Sequence, residues 1–233
     1  YRADDFLEGI RPFTETLKFA TPLIAAGLGV GLAFRAGLFN IGGEGQMLMA
    51  AAAAGWVSTT WTMPWPLHML AAVLAGIVAG AVWAAIAGVL KARTGAHEVI
   101  VTIMLNHIAV YLLAWMLATQ GVLQAPGSSN PRTAPAAETA ILPPIIPEFK
   151  LHFGFVLALL AVAFTWWLLE RSSLGFRFRA VGSNPFAART AGISVSRMYI
   201  VVMIIAGGLV GIAAMNGQGA DDGGVSADDC TCR

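Results

Sequence analysis

Six apolar stretches, each almost free of charge, divide this chain and leave it little choice of fold. They cover about residues 19–34, 46–61, 67–90, 99–117, 151–169 and 199–215, labelled segments A to F. A hydrocarbon core about 30 Å thick takes roughly 20 residues of helix to cross. A and B are short, so their ends extend into flanking sequence or tilt against neighbours. A lone strand in lipid would leave its backbone N–H and C=O groups unpaired, and no segment alternates as a barrel strand does. The expected fold is an all-α polytopic membrane protein with about six transmembrane helices.

Only 12% of the 233 residues are charged, against roughly a quarter in soluble domains. The charges gather in 1–18, 170–198 and 216–233, between or beyond the apolar stretches. This divides the chain into an extracytoplasmic segment 1–18, a membrane domain 19–215 with a cytoplasmic loop 170–198, and a polar tail 216–233 expected to be disordered. The chain opens on Tyr1, and 1–18 lacks the basic-then-apolar order of a signal peptide, so it is expected to begin partway into a longer protein. A net charge of +1 without a basic stripe excludes nucleic acid as a partner. Cys230 and Cys232 have no second pair and no nearby histidine, which argues against a metal site or a disulfide framework.

Orientation follows from the loop cations. Arg171, Arg177, Arg179, Arg189 and Arg197 mark the E–F loop as cytoplasmic, Lys91 and Arg93 the C–D loop, and alternation places the A–B junction with Arg35 on the same side. The B–C turn and the long D–E loop then face outward. The D–E loop carries Pro126, Pro131, Pro135, Pro143, Pro144 and Pro147 and is expected to be extended or irregular. Trp61, Trp65 and Trp115 fit an outer interfacial belt, and Trp166 and Trp167 an inner one. Segment C repeats small residues at Ala72, Gly76, Gly80, Ala84 and Gly88, which predicts close packing in the bundle interior.

No catalytic motif occurs, and with no Gly-Lys pair the chain has no phosphate-binding P-loop. Any ATP-driven step therefore belongs to a separate subunit. Between A and B, Asn40, Gly42, Gly43 and Gly45 disfavour continuous helix inside an apolar stretch. Two readings stand: a broken or re-entrant element beside a solute route, or a tight cytoplasmic turn with Glu44 at the positive end of helix B. In segment D, Asn106 and His107 are mid-helix polar residues, and His107 is either a packing histidine or part of a proton relay. In the E–F loop, Asn184 supplies a helix cap, Pro185 a first helical position and Gly192 a stop. The short helix between them carries Phe186 and Arg189, and Phe186 suits a groove on a soluble partner.

The strings LAFRAGLFNIGGEGQ (32–46), KARTGAHEVIVTIMLN (91–106) and SSLGFRFRAVGSNPFAARTAGISVSR (172–197) resemble permease subunits of bacterial ABC importers for nucleosides and simple sugars. These sit in a wider group that also serves ribose and branched-chain amino acids. The resemblance runs over about 14–214. It implies a subunit of the bacterial cytoplasmic membrane that pairs with a second permease, with cytoplasmic ATPase subunits holding ATP and Mg and with an extracytoplasmic solute-binding protein; no cofactor is expected on this chain. It also implies that Asn184, Pro185, Phe186, Arg189 and Gly192 form the helix that couples to the ATPase. Asn40, Glu44, Gln46, Asn106 and His107 then lie near the substrate path. Family members are longer at both ends, and after Ala214 the apolar pattern stops where theirs continues, as a truncation or frameshift would produce. Against this stand an ion-coupled or passive carrier and a truncated permease without transport.

Overall fold

The computed structural model describes residues 3–119, 121–124, 133, 144–146 and 149–218. Among these residues are eight helices and one short hairpin: α1 (Ala3–Arg35), α2 (Gly43–Thr60), α3 (Trp65–Thr94), α4 (Glu98–Ala118), β1 (Pro144–Ile146), β2 (Phe149–His152), α5 (Gly154–Arg171), α6 (Ser173–Ser183), α7 (Pro185–Thr190) and α8 (Val195–Gln218). The hairpin is antiparallel, pairing Pro144 with His152 and Ile146 with Phe149. The other D–E loop prolines, and tail residues 219–233, lie outside the described residues.

Five helices among the described residues are long and apolar enough to cross a membrane: α1 from Pro12, α3, α4, α5 and α8 to Ala214. Segment B, as α2, is less apolar, and the reason is its position. It packs against α1, α3, α4 and α8, burying Gln46 and Ser58 as well as Leu48, Ala50, Ala52 and Ala54. A helix enclosed by other helices has no need of a lipid-compatible surface. Segment A extends into its flanking sequence as expected: α1 runs from Ala3 through Pro12 and Pro22 to Arg35, so much of segment 1–18 is helix. At the other end α8 continues to Gln218, three residues into the expected polar tail.

The small-residue repeat of α3 is buried throughout, at Ala72, Gly76, Gly80, Ala84 and Gly88. Its partner is α8. A Cβ on Gly80 would lie 2.5 Å from the Gly207 carbonyl oxygen, and one on Gly211 would lie 2.5 Å from that of Gly76. On Gly207 it would strike the Gly80 carbonyl and the Ala84 methyl group. The two backbones therefore run in direct contact, which only glycine at these positions permits. The expectation that helix C is interior holds for this face alone, because Leu70, Leu74, Val78 and Val82 on the opposite side are exposed. The central helix is α8, with α1, α2, α3 and α5 around it. The belt tryptophans Trp61, Trp65, Trp115, Trp166 and Trp167 are all exposed, as interfacial anchors must be.

The E–F loop holds two helices rather than the one expected. Ser172 caps α6, its hydroxyl accepting the Gly175 N–H at 3.1 Å. The fully buried Phe178 and Val181 of α6 join Leu38, Leu168, Ala188 and Met198 in the main core cluster. Gly182 packs on the carbonyl of Arg35 and beside Ala36. The A–B junction and the E–F loop thus lie at one end of the bundle, as alternation of the loops requires.

Replacing Gly207 by leucine is expected to destabilise the bundle by about 3 kcal/mol through overpacking of this seam. Gly31→Ala, where no atom stands within 4 Å of the new Cβ, should stay within about 0.5 kcal/mol of the parent. Thermal unfolding of both variants in detergent checks the difference.

Candidate functional site

Helix α1 ends at a glycine the sequence reading passed over. Gly37 adopts φ 75°, and the N–H groups of Gly37 and Leu38 return to the carbonyls of Phe34 and Ala33 at 3.0 and 3.1 Å. This is a Schellman stop, in which a left-handed residue satisfies the last carbonyls of a helix. Gly43 and Gly45, expected to break helix, instead lie in the first turn of α2.

Between the two helices a turn is held together by side-chain amides. Asn40 Oδ1 accepts the Gly42 N–H at 3.0 Å and a Gln46 Nε2 hydrogen at 3.1 Å. Asn40 Nδ2 donates in return to Gln46 Oε1 at 3.5 Å. Both residues are 1% exposed, so these bonds are shielded from water. From α4, Asn106 Oδ1 accepts the Gly45 N–H at 3.0 Å, while Asn106 Nδ2 donates to the Ile41 carbonyl at 3.0 Å. One side chain thus serves a donor and an acceptor that neither α1 nor α2 can satisfy.

The turn is recessed. Asn106 lies eight residues into α4, a rise of about 12 Å from Glu98, and it stands between the exposed apolar Met104 and Ile108. Trp83 of α3, also beside Gly45, is about 16 Å from that helix's end. The α1–α2 turn therefore reaches well inside the α3–α4 hairpin, which favours the re-entrant reading over a surface turn. The hairpin itself is closed by a Lys91–Glu98 ion pair at 2.8 Å and by Gly95 at φ 70°.

Three of the five expected path residues, Asn40, Gln46 and Asn106, are therefore assembled into one cluster. Glu44 lies beside them on the first turn of α2 but is exposed, and His107 is exposed on α4. The bundle does not enclose His107, because the residue before it already occupies the inward-facing position. Sequence reading missed His68, fully buried at the start of α3 with Nε2 3.2 Å from the Val57 carbonyl of α2. No spacing rule marks a histidine whose partner lies across a turn.

At the loop end, the expected caps form as written. Asn184 Oδ1 accepts the N–H groups of Phe186 and Ala187 at 3.0 and 3.2 Å, with Pro185 at the first helical position. Gly192 at φ 82° stops α7, and the Ile193 N–H returns to the Ala188 carbonyl. Ala188 is buried in the core cluster, whereas Phe186 is 77% exposed and Arg189 points outward. An open groove of about 410 Å³ between α3, α5 and α8 is lined by side chains such as Ile77, Leu160, Phe164 and Ile205. It offers a polar solute almost nothing to bond, unlike the amide cluster. Among the described residues no group of histidine, cysteine and carboxylate side chains could hold a metal ion.

A family model described as the branched-chain amino acid transport system / permease component matches residues 13–216. The chain belongs to that permease family. A guanosine ABC transporter permease of Bacillus subtilis is 39% identical over 206 residues, covering 88% of this chain and 59% of the relative. A glucose ABC transporter permease of Haloferax volcanii is 38% identical, with 88% and 57% covered. A nucleoside ABC transporter permease of Lactococcus lactis is 33% identical, with 90% and 59% covered. The chain spans under three-fifths of the length of these relatives. No solved structure matches it.

Asn106→Leu should cost this permease-family chain about 2–3 kcal/mol, since it strands a backbone donor and an acceptor. His107→Ala should cost under about 0.5 kcal/mol. Chemical unfolding in detergent micelles separates the two.

Proposed function

We propose that this chain is the transmembrane permease subunit of an ABC importer that moves nucleosides or simple sugars across the bacterial cytoplasmic membrane. Two cytoplasmic ATPase subunits, a second permease and an extracytoplasmic solute-binding protein complete it, and ATP and Mg reside on the ATPase. The observation that carries this reading is the seating of α7. A six-residue helix, capped at both ends, sinks Ala188 into the core and turns Phe186 and Arg189 away from the bundle. The same core cluster holds Phe178 and Val181 of α6, Leu38 of the recessed turn and Met198 of α8. A push on α7 is therefore delivered through packed side chains to the turn and to the central helix. Packed contacts of this kind move as rigid bodies rather than absorb strain.

The solute route runs along the α2–α4 face. A carboxylate or imidazole facing lipid is costly, so exposed Glu44 and His107 fit a water-lined passage or a second permease better than acyl chains. Amide groups of the Asn40–Gln46–Asn106 type bond hydroxyls and base edges without a charge partner. Neutral solutes suit that chemistry, and the guanosine, glucose and nucleoside named for the relatives are neutral.

Phe186→Glu and Arg189→Glu should each abolish co-purification of the ATPase while leaving membrane insertion intact. Retention of the ATPase by both variants would overturn the coupling role of α7. The ion-coupled alternative makes the opposite demand: a pH-dependent flux lost on His107→Ala and indifferent to changes in α7.

A further inference from the structure

One polar atom beside the amide cluster has no partner among the described residues. Trp83 projects from α3 toward α2 and α4, packed against the buried cluster to which Leu48, Met49, Ala109 and Leu113 belong. Its Nε1 lies 3.0 Å from the point where a side chain on Gly45 would begin. That nitrogen is closed off from solvent and has no hydrogen-bond acceptor among the described residues. An indole nitrogen only donates, so it must find an acceptor or bear the full cost of its desolvation.

The surrounding groups do not supply one. Asn106 Oδ1, equally close to the Gly45 position, takes the Gly45 N–H, and the Ile41 carbonyl takes a hydrogen of Asn106 Nδ2, but neither oxygen bonds the indole N–H. Asn40 and Gln46 are occupied with each other and with Gly42. A phenylalanine at position 83 would fill much of the same space without the penalty. The donor therefore gains a partner in another conformation of the protein, or with another molecule present.

We propose that the Trp83 indole N–H donates a hydrogen bond to the transported solute, a neutral molecule bearing a hydroxyl, ring oxygen or base carbonyl, when α2 and α4 part at Gly45. This rests on the transport reading above. Separation of the two helices breaks the Gly45–Asn106 and Asn106–Ile41 bonds together. It frees the Gly45 N–H and both ends of the Asn106 amide next to the indole nitrogen, so three kinds of donor and one acceptor converge on one point. No lysine or arginine belongs to this set, and Glu44 adjoins it, which disfavours an anionic solute.

Trp83→Phe keeps an aromatic ring and deletes the donor. In the complete transporter, reconstituted with its ATPase and solute-binding protein, the variant should move about three- to tenfold fewer nucleoside molecules per ATP hydrolysed, the reach of one neutral hydrogen bond. Trp83→His, which retains a ring N–H, should recover part of the loss. An unchanged transport-to-hydrolysis ratio in a folded variant overturns the proposal. Should the variant fail to assemble, the wild-type complex is photolabelled with an azidoguanosine probe. Adducts at Trp83 support the assignment, and labelling confined to other helices overturns it. A wild-type complex that hydrolyses ATP yet moves neither nucleoside nor sugar overturns the transport reading itself, and that control is independent of position 83.

Discussion

Helices in lipid gain nothing from hiding apolar surface, so a membrane bundle is held by how closely its backbones can approach. In this protein such an approach runs along the seam where Gly76 and Gly80 of α3 meet Gly207 and Gly211 of α8. A second contact, Gly29 of α1 against the Ala206 carbonyl at 2.6 Å from the would-be Cβ, brings α1 onto the same helix. With α8 gripped from two sides, the other helices arrange around it. The outward face of α3 is left to Leu70, Leu74, Val78 and Val82, which lipid accommodates without cost.

That arrangement creates an enclosed place for α2, and enclosure explains its composition. A helix shielded on most sides can carry Gln46, Ser58 and a run of alanines, and can begin at a polar turn inside the bundle. The cost of polarity there is met by pairing: Asn40 with Gln46, and Asn106 with Gly45 and Ile41. The cluster so formed is bonded well enough to hold one conformation.

Features with local causes were legible in the sequence, and features with distant causes were not. The α7 caps could be read because Asn184, Pro185 and Gly192 act on their own neighbours within a few residues. The four-residue repeat of α3 was equally visible, since one helix face can be counted along the chain. Its partner glycines in α8 were not singled out, because a Gly-Gly pair in an apolar run does not name the helix it meets. Segment A was read to end at about residue 34, one short of the observed end of α1, but Gly37, which makes the stop, was not singled out: composition shows where glycine occurs, whereas the stop depends on which carbonyls remain to be satisfied. Helix α6 escaped notice because its burial rests on Phe178 and Val181 inside a string that alternates with arginine. Asn106 was recognised as a mid-helix polar residue, but its bond to Gly45 joins positions 61 apart, and sequence shows the bonding group without its partner.

The bond across that separation also bears on how the protein is made. When α1 and α2 leave the ribosome, the Gly45 N–H and the Ile41 carbonyl have no partner, and none is synthesised until Asn106 emerges. The α1–α2 hairpin therefore cannot take its final recessed shape as it is inserted. It must wait near water, or be shielded by the insertion machinery, until α4 arrives and closes the turn from the side. Synthesis order and assembly order are thus different sequences of events in this chain, and α4 is the helix that reconciles them.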